Sequence, residues 1–296
     1  MQNLVKKEFQ LFILITLSLL FLSLNSILCK IALVNSFIDP YSFTFFRVLS
    51  AFLTLLFLIK FNQNKKLKQN KIDFKSNWLS AFMLFLYAIG FSYSYLSLEA
   101  GFGTLLLFTV VQITMLFSSI FFKEKISLNK ILGLVLAFIG LIYLLYPSQD
   151  FKISYFHLFL MCLSGFAWGV YSVFGKKSKN ALFSTYDNFF KAFIFTFIFF
   201  IFVSVHSLNI SLNGLLLSFI SGSITSAIGY VLWYKVLPKI TIITASILQL
   251  LVPILAILIS VIFLDEIFTT NLLVATILVS LGVIISIVKR KTNQNI

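Results

Sequence analysis

The chain has 296 residues, of which 60% are hydrophobic and only 11% charged, with a mean hydropathy of +1.03. Soluble proteins carry about 25% charged residues, and so few charges cannot cover the surface of a water-soluble domain. Soluble-enzyme classes are thereby excluded, and the +14 net charge, spread in short runs between apolar blocks, speaks for membrane orientation rather than nucleic-acid binding.

A membrane-crossing helix needs roughly 20 mainly apolar residues, because the bilayer offers backbone groups no partner outside the helix. Ten such segments follow in chain order, near residues 10–29, 41–59, 78–97, 101–122, 128–146, 155–174, 183–205, 212–234, 241–263 and 268–288. The connections between them are short, so no soluble domain is expected. Span 1 follows Lys6 and Lys7 and imitates a secretory signal, but no small-x-small cleavage site follows it. Cys29 and Cys162 both lie in apolar segments. They offer neither a disulfide framework nor a zinc cluster, and no metal or cofactor is expected.

Lysine and arginine placement sets the orientation. Nineteen of the 23 basic residues fall on the side that holds the N-terminus, from Lys6 and Lys7 to Lys289, Arg290 and Lys291. Lys30 and Lys152 fall on the other side, and Arg47 and Lys191 lie within spans. Both termini are therefore expected in the cytoplasm. A different number of spans would scramble this alternation, so the bias also supports ten.

The chain repeats itself. Glu124 is followed sixteen residues later by Gly140, and Glu266 sixteen later by Gly282. Ala88-Ile89-Gly90-Phe91 is matched by Ala227-Ile228-Gly229-Tyr230, and Leu22-Ser23-Leu24-Asn25 by Trp168-Gly169-Val170-Tyr171. Residues 1–147 and 148–296 thus read as two repeats of five spans, and an odd number inserts them with opposite orientation. Inverted repeats are a signature of secondary transporters, with the substrate near the midplane between the halves.

In the first half stand Asn25, Pro40, Phe46-Arg47, and Glu124 with Gly133 and Gly140. In the second stand Ala167-Trp168-Gly169-Val170-Tyr171, the run from Ser226 to Tyr234, Gln249-Leu250-Leu251-Val252-Pro253, and Leu264-Asp265-Glu266. In order and spacing these motifs resemble the EamA family of the drug/metabolite transporter superfamily, over nearly the whole chain. The chain departs from the family at Leu22-Ser23, where Trp-Gly is frequent. It also has Val111 where its own second repeat has Pro253, and no arginine of the second repeat matches Arg47. The resemblance implies an all-α, ten-helix bundle that carries small metabolites by alternating access. It further implies that the first, third and fourth helices of each repeat line a central cavity.

Polar groups in a bilayer are costly and should face the bundle interior. The expected substrate-binding residues are Asn25, Tyr93, Gln112, Trp168, Tyr171, Tyr230, Trp233 and Gln249, which together describe aromatic walls with neutral hydrogen-bonding groups. For Gln112, Trp168, Tyr171, Trp233 and Gln249, pocket-lining and structural roles both stand open. The Ser218, Gly222, Ser226, Gly229 series reads first as helix packing. Arg47 has a guanidinium fork suited to a carboxylate or phosphate, but span 2 is not among the implied inner helices, which favours a structural or gating role. Pro253 should kink span 9 near Gln249. Glu124 and Glu266 should order turns between packed helices, with gating as the alternative. No acidic residue falls in the middle of a span, which weighs against lipophilic cations and against simple carboxylate-coupled antiport.

The expectation is a bacterial inner-membrane permease, most simply an exporter of amino acids or related compounds. No convergent nucleophile or acid–base set marks an enzyme. The alternatives are a multidrug efflux carrier, a carrier of nucleotide-derived metabolites and a non-transporting scaffold. The expected partners are a small-molecule substrate and the lipid bilayer, without nucleic acid, and a homodimer is left open.

Overall fold

The computed structural model describes residues 2–61, 77–145, 154–203, 208–264 and 270–287. Helices α1 (Gln2–Val34), α2 (Pro40–Lys60), α3 (Trp78–Ser94), α4 (Ala100–Phe121), α5 (Leu128–Leu145), α6 (Tyr155–Gly175) and α7 (Ala181–Val203) are continuous. Helix α8 runs as Leu212–Ile220, a π-helical stretch Ser221–Ile228 and Gly229–Val236. Helix α9 is broken at Leu250 into Ile242–Gln249 and Leu251–Phe263, and α10 is Thr270–Ile287. Seven of the described helices are long and apolar enough to cross a membrane. Shorter apolar stretches, Trp78–Ser94, Leu128–Gly140 and Leu273–Ser286, occupy the places of the expected spans 3, 5 and 10.

The surface is apolar, and polar side chains are held inside, among the hydrophobic residues of the core. Phe202 is 75% exposed and Phe121 81%, whereas Asn25, Gln112 and Lys191 are fully buried. Lipid can cover the phenylalanines, while the polar groups need protein partners.

Helix ends follow local chemistry. The Asp39 carboxylate accepts the Ser42 amide at 2.8 Å, with Pro40 at the first helical position of α2. Helix α4 ends with Lys123 in the left-handed region at φ 54°. There the Lys123 amide bonds the Ile120 carbonyl and the Glu124 amide bonds the Ser119 carbonyl, each at 2.9 Å. This paired closure is one usually made by glycine, and it throws the Glu124 side chain back across the bundle.

Small residues set the helix contacts. Helix α5 lies on α10, where a Cβ on Gly133 would overlap the Gly282 carbonyl, and one on Gly140 would sit 3.1 Å from the Ala275 carbonyl. Helix α6 lies against α3 and α4, with Gly165 on the Leu107 carbonyl and Gly169 on Val111 and Thr114. Helix α1 lies against α8 and α9, with Gly229 on Phe21 and the Ser23 hydroxyl donating to the Val252 carbonyl at 3.1 Å. Helix α2 lies on α8, with Gly222 on the Arg47 carbonyl, and on α7, where Phe52 and Phe193 stack at 5.7 Å.

The connections gather at two ends. At one, the turn after α1 meets the strand-like entry to α8, through Asp39 to Asn209 at 2.9 Å and Ser211 to Phe37 at 2.8 Å. At the other, Glu124, Lys130 and Lys176 reach the start of α9.

Candidate functional site

The π-helical stretch of α8 presents Ser221, Thr225 and Ser226 to α1, and all three hydroxyls converge on one atom, Asn25 Oδ1, at 2.9, 2.6 and 3.3 Å. Extra turns of this kind often mark functional sites, because they rotate side chains out of the regular helical register. From the next helix, Arg47 Nε donates to the Ser226 hydroxyl at 3.0 Å. Arg47 Nη2 donates to the hydroxyls of Tyr230 and Tyr87, at 2.8 and 3.3 Å. The guanidinium carbon also lies 5.1 Å from the Phe91 ring centre and 5.4 Å from that of Tyr87. Arg47 is only 2% exposed. Although it comes from span 2, it enters the middle of the bundle, between α2, α3 and α8.

Tyr87 and Tyr230 continue into an aromatic group. Trp168 lies 4.9 Å from Tyr87, 4.7 Å from Tyr230 and 5.5 Å from Tyr171 by ring centres. Its indole N–H donates to Gln249 Oε1 at 2.7 Å, and Gln249 Nε2 in turn lies 3.1 Å from the Met115 sulfur. Gln112 stands one turn from Met115 on α4, fully buried, with neither side-chain polar atom partnered among the described residues. Helix α9 breaks right after Gln249. Pro253, four residues on, has no N–H to give the Gln249 carbonyl.

The structure therefore brings Asn25, Trp168, Tyr171, Tyr230 and Gln249 into one connected region, with Gln112 beside it. It does not bring Tyr93 there: that ring is half-buried against Tyr41, at 4.8 Å edge to face. Trp233 is fully buried, but its indole donates to Ser172 at 3.2 Å, and it makes no ring contact with the aromatic group among the described residues. Glu266 lies outside the described residues. Glu124 joins the two halves, its two oxygens accepting the Ile242 and Ile243 amides at 2.9 and 3.2 Å.

Sequence reasoning did not select Ser221 or Thr225, and took Ser226 for a packing residue. The available signal was spacing. Ser218, Gly222 and Ser226 recur every four residues, and Gly222 does pack on Arg47. That same approach carries Ser226 to the guanidinium.

A cleft of about 520 Å³ opens at the end that holds Lys177 and Lys179, lined also by Asn77, Ser80, Asn188 and Tyr234. Tyr234 connects it inward: its hydroxyl donates to the Tyr171 carbonyl at 3.1 Å, and its ring lies 5.0 Å from that of Tyr171. Beside the cleft, Lys191 and Asp187 form a buried ion pair at 2.9 Å, and Asn77 Nδ2 donates to the same carboxylate oxygen at 3.1 Å. Among the described residues no three His, Cys, Asp or Glu side chains are grouped to hold a metal.

The chain matches the EamA-like transporter family over residues 11–146 and 156–288. An uncharacterized protein of Pseudomonas aeruginosa is 34% identical to it over 94% of both chains. The uncharacterized transporter YoaV of Bacillus subtilis is 25% identical over 77% of this chain and 80% of its own. An uncharacterized transporter of Archaeoglobus fulgidus is 26% identical over 72% of this chain and 76% of its own. One solved crystal structure superposes with a TM-score of 0.72 at 14% identity, covering 94% of this chain and 96% of that one, a likeness of fold alone. The chain belongs to the EamA family of the drug/metabolite transporter superfamily and is a multi-pass membrane transporter.

Proposed function

We propose that this transporter is a secondary carrier of small metabolites, amino acids or related compounds being the best-fitting class. It exports them across a bacterial inner membrane by alternating access. Its ten spans form two inverted repeats, residues 1–147 and 148–296, with both termini in the cytoplasm. Substrate sits between the halves, against Trp168, Tyr171 and Tyr230, with Asn25, Gln112 and Gln249 as hydrogen-bonding groups.

The observation that carries this reading is the aromatic group itself. Tyr87 comes from the first half and Trp168 and Tyr230 from the second, all buried and within 6.5 Å of one another by ring centres. Tyr171 and Tyr234 link them to a cleft open at one end. Aromatic walls with a few convergent polar groups are the usual make-up of small-molecule sites. A carrier needs such a site reachable from one side at a time.

Packing supports the inverted repeat. In the Glu124/Glu266 register, Gly133 corresponds to Ala275 and Gly140 to Gly282. Gly133 packs on Gly282 and Gly140 on Ala275, so exchanging the halves reproduces the contact. Likewise α1 on α8 and α9 corresponds to α6 on α3 and α4, and α2 on α8 to α7 on α3. The lysines of the cleft and the buried guanidinium disfavour efflux of lipophilic cations.

Proteoliposomes loaded with a mixed pool of amino acids and small metabolites test the reading. Efflux of one compound class above that of empty vesicles, lost in folded Trp168→Ala and Gln249→Ala proteins, is the expected result. No efflux of any pool member from correctly inserted protein refutes the amino-acid reading.

A further inference from the structure

Arg47 is a buried cation without a counter-ion. Among the described residues no ion pair involves Arg47; the buried pair is Lys191–Asp187. The acceptors around the guanidinium are three neutral hydroxyls, and two aromatic faces complete its surroundings. Neutral partners and ring quadrupoles only partly offset the desolvation of a full charge. Among the described residues Arg47 Nη1 has no partner, and neither does Asn25 Nδ2; both atoms are buried. Ser226 stands between the two side chains, bonded to both. Two buried donors, one of them charged, therefore belong to side chains that share one serine at the centre of the bundle. Donors of this kind suit the oxygens of an anion.

The position is as telling as the chemistry. In the repeat register Tyr87 corresponds to Ser226, and Phe91 to Tyr230. These four are the side chains that Arg47 touches: two related positions from each half. Arg47 thus lies where the halves are related to one another, although it has no counterpart of its own. A charge placed there stands in the same relation to the entrance at either end, as alternating access demands of a substrate anchor.

We propose that Arg47 and Asn25 hold the carboxylate of the transported solute, whose remainder lies on Tyr87, Trp168 and Tyr230. The solute class is a small carboxylate, an organic acid or amino acid, and the inference rests on the carrier reading above. A doubly charged phosphate is a poorer fit, because a single guanidinium serves this centre and the flanking groups are hydroxyls, an amide and rings. Lys177 and Lys179 at the cleft mouth favour approach by an anion.

The test uses the full chain in proteoliposomes, loaded with amino acids and 2-oxo acids together with their decarboxylated amines and their amides, and release is read by mass spectrometry. Wild-type protein is expected to release the carboxylates at least about tenfold faster than the matched amines and amides, a factor set by the loss of one charged hydrogen-bonded contact. Asn25→Asp gives Arg47 an internal carboxylate. It is expected to melt at or above the wild-type temperature and yet lose release by a similar factor. Arg47→Lys keeps the charge without the fork and should raise KM more than it lowers the maximal rate. Release of amines or amides as fast as carboxylates would overturn the anion site and leave the carrier standing. A well-folded Asn25→Asp protein with wild-type release would reduce Arg47 to a bolt between helices. Wild-type protein that releases nothing in the pool refutes the amino-acid reading above, and the carboxylate site with it. The wild-type selectivity decides the matter even where a variant fails to fold.

Discussion

Glu124, just past the end of α4, bonds the first two amides of α9, at Ile242 and Ile243, with one carboxylate oxygen each. Thr241 Oγ1 takes the Thr244 amide at 3.2 Å, so the free N–H groups at this helix start are shared between a cap of its own and one from the other half. A carboxylate at a helix N-terminus is favoured by the helix dipole as well as by its hydrogen bonds. Glu124→Gln keeps one acceptor and loses the charge, and should cost about 1 kcal/mol; Glu124→Ala should cost about 2 kcal/mol. Thermal melts of the purified protein in detergent check both. Two unchanged melting temperatures would show that the contact contributes nothing to holding the halves together.

Trp168 and Gln249, both of the second half, make a link of a different kind, a hydrogen bond of 2.7 Å in a buried setting between α6 and α9. Trp168→Phe keeps an aromatic ring there and leaves Gln249 Oε1 without its donor. That should cost about 1–3 kcal/mol, because an unsatisfied buried acceptor loses its desolvation energy outright. Gln249→Leu removes the need for the donor. A double-mutant cycle on melting temperature should therefore show coupling of about 1 kcal/mol between the two changes. Strict additivity would mean that the bond is not made in the folded protein.

The helices were legible in the sequence because span length is fixed by the bilayer, and every described helix falls on an expected segment. What the sequence did not disclose is which spans are central. In a chain this apolar the hydrophobic pattern hardly separates a buried face from a lipid-facing one, so Arg47 on span 2 reads as a residue bracing a helix end. Its central position follows from long-range packing, with α2 drawn onto α8 at Gly222. The π-helical register of Ser221–Ile228 left no local mark either, since Ser, Gly and Thr suit close packing equally well in a regular helix. Tyr93 fails to join the centre for a simple geometric reason. It stands six residues after Tyr87, on another face of α3, towards Tyr41 and away from Trp168. The break of α9 beside Gln249, by contrast, was legible in Pro253.

Close packing of α5 on α10 predicts steep sensitivity at two positions. A side chain at Gly133 meets the Gly282 backbone, and one at Gly282 meets Gly133 and Ala137. Gly282→Leu should push the two helices apart and cost about 1–3 kcal/mol or more, as overpacking does. Leu281→Phe, on the exposed face next to it, should leave stability within about 0.5 kcal/mol. Equal melting temperatures for the two variants would place the α5–α10 contact elsewhere.

The proposed orientation can be read by labelling. Leu208 and Lys179 are exposed at opposite ends of the bundle. Native Cys29 is fully buried and Cys162 half-buried, so Cys162→Ser gives a quiet background. A membrane-impermeant maleimide added to intact spheroplasts should label Leu208→Cys and leave Lys179→Cys unlabelled until the membrane is opened. The opposite pattern would invert the topology and turn the lysine-rich cleft outward.

The Lys191–Asp187 pair predicts an asymmetry between breaking it and removing it. Both side chains are buried, the ammonium also lies 5.8 Å from the Trp78 ring centre, and Asp187 Oδ1 has no partner among the described residues. Removing one member of a buried pair leaves its companion's charge uncompensated, so Asp187→Asn should cost about 3–5 kcal/mol, while replacing both members with apolar residues of similar size is often neutral. Asp187→Leu with Lys191→Met should therefore melt well above Asp187→Asn. Because the pair stands beside the cleft and not at Arg47, the double variant should keep the wild-type solute preference. A double variant as unstable as Asp187→Asn would mean that the pair itself stabilises the bundle. A changed solute preference would bring Asp187 into the transport path.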